Sequence, residues 1–209
     1  MKRIVLVVLC TGMVAACGGQ GSEGLESVSS ALASTWTAWV SEEQPQGVEC
    51  NIYSSQSVIG AACRGSYCDD MKLLCGDLPP GFVKPIPVVN VRTTPWVSEE
   101  QPGGALCPQN YIADGIRFTG SYSDNVSLYC VPAMFPPQGV NCTSSPWFSE
   151  EQPPQIFDVN PNSYAGAVVT GVKCSGSYCD NVSFTICEPK CTSNADCFGA
   201  CTNGRCVVG

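Results

Sequence analysis

Apolar and polar residues alternate most clearly just after three Gly-Ser-Tyr triplets. In Val126-Ser127-Leu128-Tyr129-Cys130, Val126, Leu128 and Cys130 fall on one face of an extended strand, and Ser127 and Tyr129 on the other. Ahead of the triplets run short β-branched stretches, Ile112-Ala113-Asp114-Gly115-Ile116-Arg117 and Val168-Val169-Thr170-Gly171-Val172-Lys173. A strand that stops at a glycine-containing turn and returns with period-two alternation predicts a β-hairpin. Leu78-Pro79-Pro80, Val131-Pro132 and Phe135-Pro136-Pro137 punctuate the chain between these segments. No amphipathic helical period follows the first twenty residues, so the expected fold class is all-β.

The hairpins belong to a larger repeat. Trp39-Val40-Ser41-Glu42-Glu43-Gln44-Pro45 returns as Trp96-Val97-Ser98-Glu99-Glu100-Gln101-Pro102 and as Trp147-Phe148-Ser149-Glu150-Glu151-Gln152-Pro153. Each is followed by a second signature: Cys63-Arg64-Gly65-Ser66-Tyr67-Cys68-Asp69-Asp70, Phe118-Thr119-Gly120-Ser121-Tyr122-Ser123-Asp124-Asn125, and Cys174-Ser175-Gly176-Ser177-Tyr178-Cys179-Asp180-Asn181. The repeats are placed at 35–78, 92–131 and 142–188. Units of this size bury little surface alone, so they must pack on one another or rely on disulfides.

The amino terminus reads differently. Lys2 and Arg3 precede the apolar run Ile4 to Leu9, which is too short to span a bilayer, and the segment ends Val14-Ala15-Ala16-Cys17-Gly18-Gly19. This resembles the lipobox of bacterial lipoproteins, although Val14 stands where that family favours leucine. The resemblance implies removal of a signal peptide, 1–16, and lipidation of Cys17. Residues 17–34, rich in Gly, Ser and Ala, read as a lipid-anchored tether. The expected location is the bacterial envelope, at the outer membrane or cell surface.

Export places the cysteines where they oxidise. With Cys10 lost with the signal and Cys17 lipidated, an even number of the 16 cysteines remains. Repeats one and three carry Cys63/Cys68 and Cys174/Cys179, whereas repeat two has Phe118 and Ser123. Both members vanish together, so each pair is read as one disulfide. Cys50–Cys75 and Cys107–Cys130 bracket the first two repeats. The last strand of repeat three is one residue longer, which turns Cys187 to the other face and suggests Cys142–Cys187. Two further bridges are expected among Cys191, Cys197, Cys201 and Cys206, forming a cysteine-rich knob at 189–209. That tail resembles the start of Dickkopf-type modules and small repeats of bacterial secreted proteins. Zinc is the competing use of four cysteines, and export favours disulfides.

Charge and composition remove whole classes of function. Ten Lys+Arg against 18 Asp+Glu give a net charge of −8, which argues against nucleic acid. The chain has no histidine, hence no Ser-His-Asp or Cys-His arrangement. The Glu-Glu pairs evoke glycosidase chemistry. Three copies of a dyad in small repeats do not build one deep cleft, however, so no enzyme is expected. The candidate ligand-binding residues are aromatic: Trp39, Trp96 and Trp147 as platforms for sugar rings, and Tyr67, Tyr122 and Tyr178 at the turn tips as repeated weak contacts. A core role for the tryptophans competes with this reading. Asp69, Asp124 and Asp180 are calcium candidates, against a turn-capping role; no other cofactor is called for.

Trp, a downstream Cys, a Gly-containing strand and Asp124-Asn125-Val126-Ser127-Leu128-Tyr129-Cys130, in three copies, resemble the vitelline-membrane outer-layer proteins. The resemblance implies a three-fold β-prism, with separate disulfide-clamped modules as the alternative. The expected function is non-catalytic binding of a polysaccharide or glycoconjugate at the cell surface. A structural envelope protein, or a disulfide-rich interaction or inhibitor module, are the rival classes.

Overall fold

The computed structural model describes residues 34–41, 47–79, 81–100, 103–136, 139–150, 155–156, 167–196 and 200–207. The stretch expected to be a signal, Cys17 and the stretch expected to be a tether, to residue 33, lie outside the described residues, as do Glu42, Glu43, Glu151 and Cys197. In chain order the strands are β1 (Thr35–Trp36), β2 (Val40–Ser41), β3 (Val48–Glu49), β4 (Gln56–Arg64), β5 (Asp70–Asp77), β6 (Arg92–Thr93), β7 (Val97–Ser98) and β8 (Ala105–Leu106). They continue with β9 (Tyr111–Thr119), β10 (Asn125–Pro132), β11 (Val140–Ser144), β12 (Gln155–Ile156), β13 (Val168–Ser175), β14 (Asn181–Pro189), β15 (Ala200–Thr202) and β16 (Arg205–Val207). The all-β, disulfide-rich class expected from the pattern is the observed one. No helix among the described residues is long and apolar enough to cross a membrane.

The three hairpins are β4–β5, β9–β10 and β13–β14, all antiparallel. Two-stranded hairpins are marginal alone, and each here gains strands on both edges. On one edge the chain entering the repeat pairs with the return strand: β1 and β2 on β5, β6 and β7 on β10, β11 on β14. On the other edge the strand comes from a different repeat. Strand β3 of repeat one pairs with β9, β8 of repeat two with β13, and β12 of repeat three with β4. The handover runs one to two, two to three and three to one, so the three sheets close into a ring. The repeats are therefore not self-contained modules.

A bulge sits at the same place in each outgoing strand, next to Gly60, Gly115 and Gly171. The incoming strand crosses there. A Cβ on Gly115 would lie 2.5 Å from the Val48 carbonyl oxygen and 2.8 Å from the Glu49 Cα. The absence of a side chain is what lets the borrowed strand approach. Inward-facing residues of all three hairpins meet in one core, including Met71, Leu73, Ile116, Leu128, Val172 and Phe184, each at most 1% exposed.

Among the described residues six disulfides stitch this frame. Cys50–Cys75, Cys63–Cys68, Cys107–Cys130, Cys142–Cys187 and Cys174–Cys179 are the pairs inferred from comparing the repeats, and Cys191–Cys201 adds one within the tail. Cys50 follows β3 and bonds back to β5, so it joins the strand lent to sheet two to the sheet that lent it. Cys107, after β8, does the same through β10. Repeat three has no cysteine after β12. Instead Cys187 lies one position beyond the one that Cys75 and Cys130 occupy, and it faces Cys142 across the β11–β14 ladder.

Opposite the Gly-Ser-Tyr turns, at the open ends of the hairpins, the chain crosses between repeats. Val83 and Met134, one from each crossing, pair through reciprocal backbone hydrogen bonds of 3.1 and 2.8 Å. Lys84 reaches inward from the first crossing. Its fully buried ammonium donates to the Asp114 Oδ1 at 2.8 Å and to the Gln56 carbonyl at 2.7 Å. Asp114 occupies the bulge position that is Ile59 in repeat one and Thr170 in repeat three. Burial raises its carboxyl to about 6, against the pull of Lys84, and Oδ2 has no hydrogen-bond partner among the described residues.

Three stability measurements follow. Gly115→Ala should cost about 1–3 kcal/mol in denaturant unfolding, because the borrowed strand must move. Lys84→Met should cost about 3–5 kcal/mol by leaving Asp114 buried without its counter-charge, whereas Lys84→Met with Asp114→Leu should be neutral or stabilising. The raised Asp114 carboxyl gives stability that is complete below pH 4 and lost as the pH rises through about 6. The double variant should lack that decline.

Candidate functional site

Each Gly-Ser-Tyr turn is a single 3-10 turn with an unusual backbone. Gly65, Gly120 and Gly176 enter it at φ of 79°, 86° and 77°. The carboxylate of Asp69, Asp124 or Asp180 packs where a Cβ would be. Two non-glycine residues in succession then adopt the left-handed region: Tyr67 and Cys68, Tyr122 and Ser123, Tyr178 and Cys179, all at φ between 57° and 63°. A left-handed side-chain-bearing residue costs about 1–2 kcal/mol, so something must hold all six.

The turns hold one another. Tyr67, Tyr122 and Tyr178 converge at one end of the ring with centroids 5.7, 5.2 and 5.2 Å apart and planes tilted by 58–68°, a three-bladed arrangement in which each ring touches both others. Tilted pairs at this separation are worth about 0.5–1.5 kcal/mol each. Beneath them runs a second cycle. The Ser123 hydroxyl donates to the Asp69 carbonyl at 2.9 Å, the Cys179 sulfur lies 3.0 Å from the Asp124 carbonyl, and the Cys68 sulfur lies 3.3 Å from that of Asp180. Cys68 and Cys179 are in disulfides, so their sulfurs carry no proton and only Ser123 makes a hydrogen bond. Each turn thus rests on the next, in cyclic order.

Sequence spacing suggested three separate tyrosine contacts; the fold merges them into one apex. The rings remain 39%, 46% and 39% exposed. Acidic residues surround them. The Asp124 carboxyl is raised by burial and then by Glu99 and Glu100, opposed by the Asn125 amide. The Glu150 carboxylate approaches Cys68 to 4.0 Å. The Asp124 and Asp180 carboxylates turn back to accept from Asn125 and Asn181 at 2.5 and 2.6 Å. They serve the turns and do not converge on a common centre. Among the described residues no group of three or more His, Cys, Asp or Glu is arranged to hold a metal ion.

The tryptophans stand on the flanks. Two residues before each, a hydroxyl takes over part of the strand ladder: Thr37, Thr94 and Ser145 accept the backbone N–H of Leu73, Leu128 and Phe184 at 2.9, 3.0 and 2.9 Å. The chain resumes pairing at Val40, Val97 and Phe148. The intervening tryptophan is left on the outer face of its sheet. Trp96 and Trp147 are 37% and 44% exposed and Trp39 is half-buried, so none is a core residue. Arg64 stacks 4.2 Å from the Trp39 ring, Lys72 lies between Trp36 and Trp39 at 4.5 and 4.7 Å, and Arg117 stacks 4.5 Å from Trp96. The recurring Thr or Ser two places before each tryptophan was the available sign of this device, and sequence reasoning passed over it. Comparison with protein-family models, curated proteins and solved structures returned no match.

The strain at the apex can be measured directly. Tyr122→Gly should be at least as stable to heat as Tyr122→Ala, because glycine relieves the left-handed backbone. In a right-handed or extended position glycine would instead be worse by about 0.5–1 kcal/mol. Ser123→Ala should cost about 1 kcal/mol through loss of the hydrogen bond to the Asp69 carbonyl.

Proposed function

We propose that the protein is a non-catalytic binding module of the bacterial envelope, held by lipid on Cys17, that presents the tyrosine apex to a polysaccharide or glycoconjugate. One observation carries the reading. Three strained turns bring three aromatic rings together and leave them exposed, where burial would have been the simpler outcome. A rigid aromatic surface loses little conformational entropy on contact with a sugar face, and the surrounding carboxylates and amides accept and donate to hydroxyls. The tryptophans take a lesser part, since Trp39 and Trp96 each have a ring face engaged by a cation of the same chain. A three-fold prism of the vitelline-membrane outer-layer type is the architecture this proposal builds on.

The oxidised chain from residue 18 onward, probed on a glycan and envelope-polysaccharide array, should bind. Tyr122→Ala should weaken binding about tenfold, or about 1.4 kcal/mol. Trp96→Ala should have a smaller effect, and EDTA none. A blank array from folded protein would overturn the glycan assignment.

A further inference from the structure

The end of the ring opposite the tyrosines has a different chemistry. The two crossings that meet there expose Val83, Ile86, Val89, Val91 and Met134, at 48%, 52%, 56%, 42% and 64% of their surfaces. Val83 and Met134 are adjacent by backbone pairing, and they border a hollow of about 590 Å³ lined also by Pro85, Tyr111 and Phe135. Soluble surfaces scatter single apolar residues, but a cluster of five on two short segments marks a contact surface. No carboxylate lies in residues 79–98 or 132–149, in a chain with 18 Asp+Glu. Of the carboxylates nearest this end among the described residues, Asp114 and Glu188 are buried, Asp77 is half-buried, and Glu49 is exposed on the flank at β3. The exposed charges at this end include Arg92 and Lys190.

The chain entering the ring does so here. Strand β1 places Thr35 opposite Cys75, near the crossing end of β5, and the chain then climbs to Ser41 opposite Asp70 beside the apex. Whatever path the preceding residues take, their end is fixed at the crossing end of the ring. We propose that this face, Val83, Ile86, Val89, Val91 and Met134 flanked by Arg92 and Lys190, rests on the lipid surface that holds the acyl chains of Cys17. The inference rests on the lipoprotein reading. Apolar side chains enter the headgroup boundary and the two cations meet anionic lipid. The contact sets orientation rather than attachment: the ring stands on its crossings, and β5, about 24 Å long, leads from that end to the tyrosine apex.

The test uses the mature lipidated chain in vesicles of phosphatidylcholine and phosphatidylglycerol containing brominated lipid. Val89→Trp and Ser121→Trp are read after subtraction of the parent chain's emission. Val89→Trp should be blue-shifted and quenched at least twofold more than Ser121→Trp at the apex. Equal quenching overturns the proposal. Mass spectrometry of the mature chain tests acylation of Cys17 separately. If Cys17 is unmodified, the unlipidated chain is floated with the same vesicles. Flotation that falls about tenfold in Ile86→Asp/Val89→Asp supports the face without the anchor, and its absence overturns it. A blue shift of Val89→Trp without lipid, with a dimer by light scattering that Ile86→Asp/Val89→Asp dissolves, assigns the face to a second copy and also overturns the proposal.

Discussion

A two-stranded hairpin has two unpaired edges and one face it cannot bury, and the three repeats supply one each. Most of the structure follows from how the edges are filled. One edge of each takes the chain that enters its own repeat, and the other takes a strand of only two residues from a different repeat. Such short strands are too brief to fold on their own. They pair only because β9, β13 and β4 each bend at a bulge and carry a glycine at the crossing. Since the borrowing is cyclic, no repeat completes its sheet before the others are in place, and the inner faces are buried only when the ring closes. Two of the three handovers are covalently tied through Cys50 and Cys107. The third, β12 onto β4, has no cysteine beside it, so its place depends on the sheet and the shared core.

Closing three hairpins about an axis produces two unlike ends. At one, three turns are forced together and must share a small space. At the other, the crossings between repeats have to pass, and these are proline-rich, apolar and free of carboxylates. The buried Lys84–Asp114 pair belongs to this second end. It ties the first crossing to the seam between repeats one and two, where a carbonyl of Gln56 and a bulged aspartate would otherwise face an apolar interior. A buried pair contributes less to net stability than to register, because desolvation of both ions offsets much of their attraction.

Much of this was legible in the chain. The hairpins were, because period-two alternation survives wherever one face is buried, as at Val126, Leu128 and Cys130. The disulfides were, because the joint loss of two cysteines in repeat two marks a pair without any geometry. What escaped is what depends on the ring. Val48-Glu49 and Ala105-Leu106 carry no periodicity and look like loop. Alternation puts Ser127 on the face opposite Val126 and Leu128 but does not tell that it is fully buried there under Thr94, whose carbonyl it bonds at 2.9 Å. Lys84 reads as a solvated linker residue, since nothing local announces a buried aspartate thirty residues later. The tyrosines were found one at a time, and their convergence is a property of three-fold closure that no single turn contains.

The three copies also separate cause from accompaniment at the apex. Turns one and three are clamped by disulfides, and it would be natural to credit those with the left-handed backbone. Turn two has Phe118 and Ser123 instead, and its φ values match the others within a few degrees. The clamp therefore does not impose the conformation. What all three share is the glycine, the serine, the tyrosine and the aspartate whose carboxylate fills the space over the glycine. Positions away from the axis have diverged: Ile59, Asp114 and Thr170 at the bulge, and Lys72 where the other repeats have Ser127 and Ser183. A ring on the axis packs against both of its counterparts, so a change in one tyrosine alters the contacts of all three. The sameness of the Gly-Ser-Tyr turns is thus a packing requirement of the apex before it is anything else, and a ligand would meet a surface whose shape is set by that requirement.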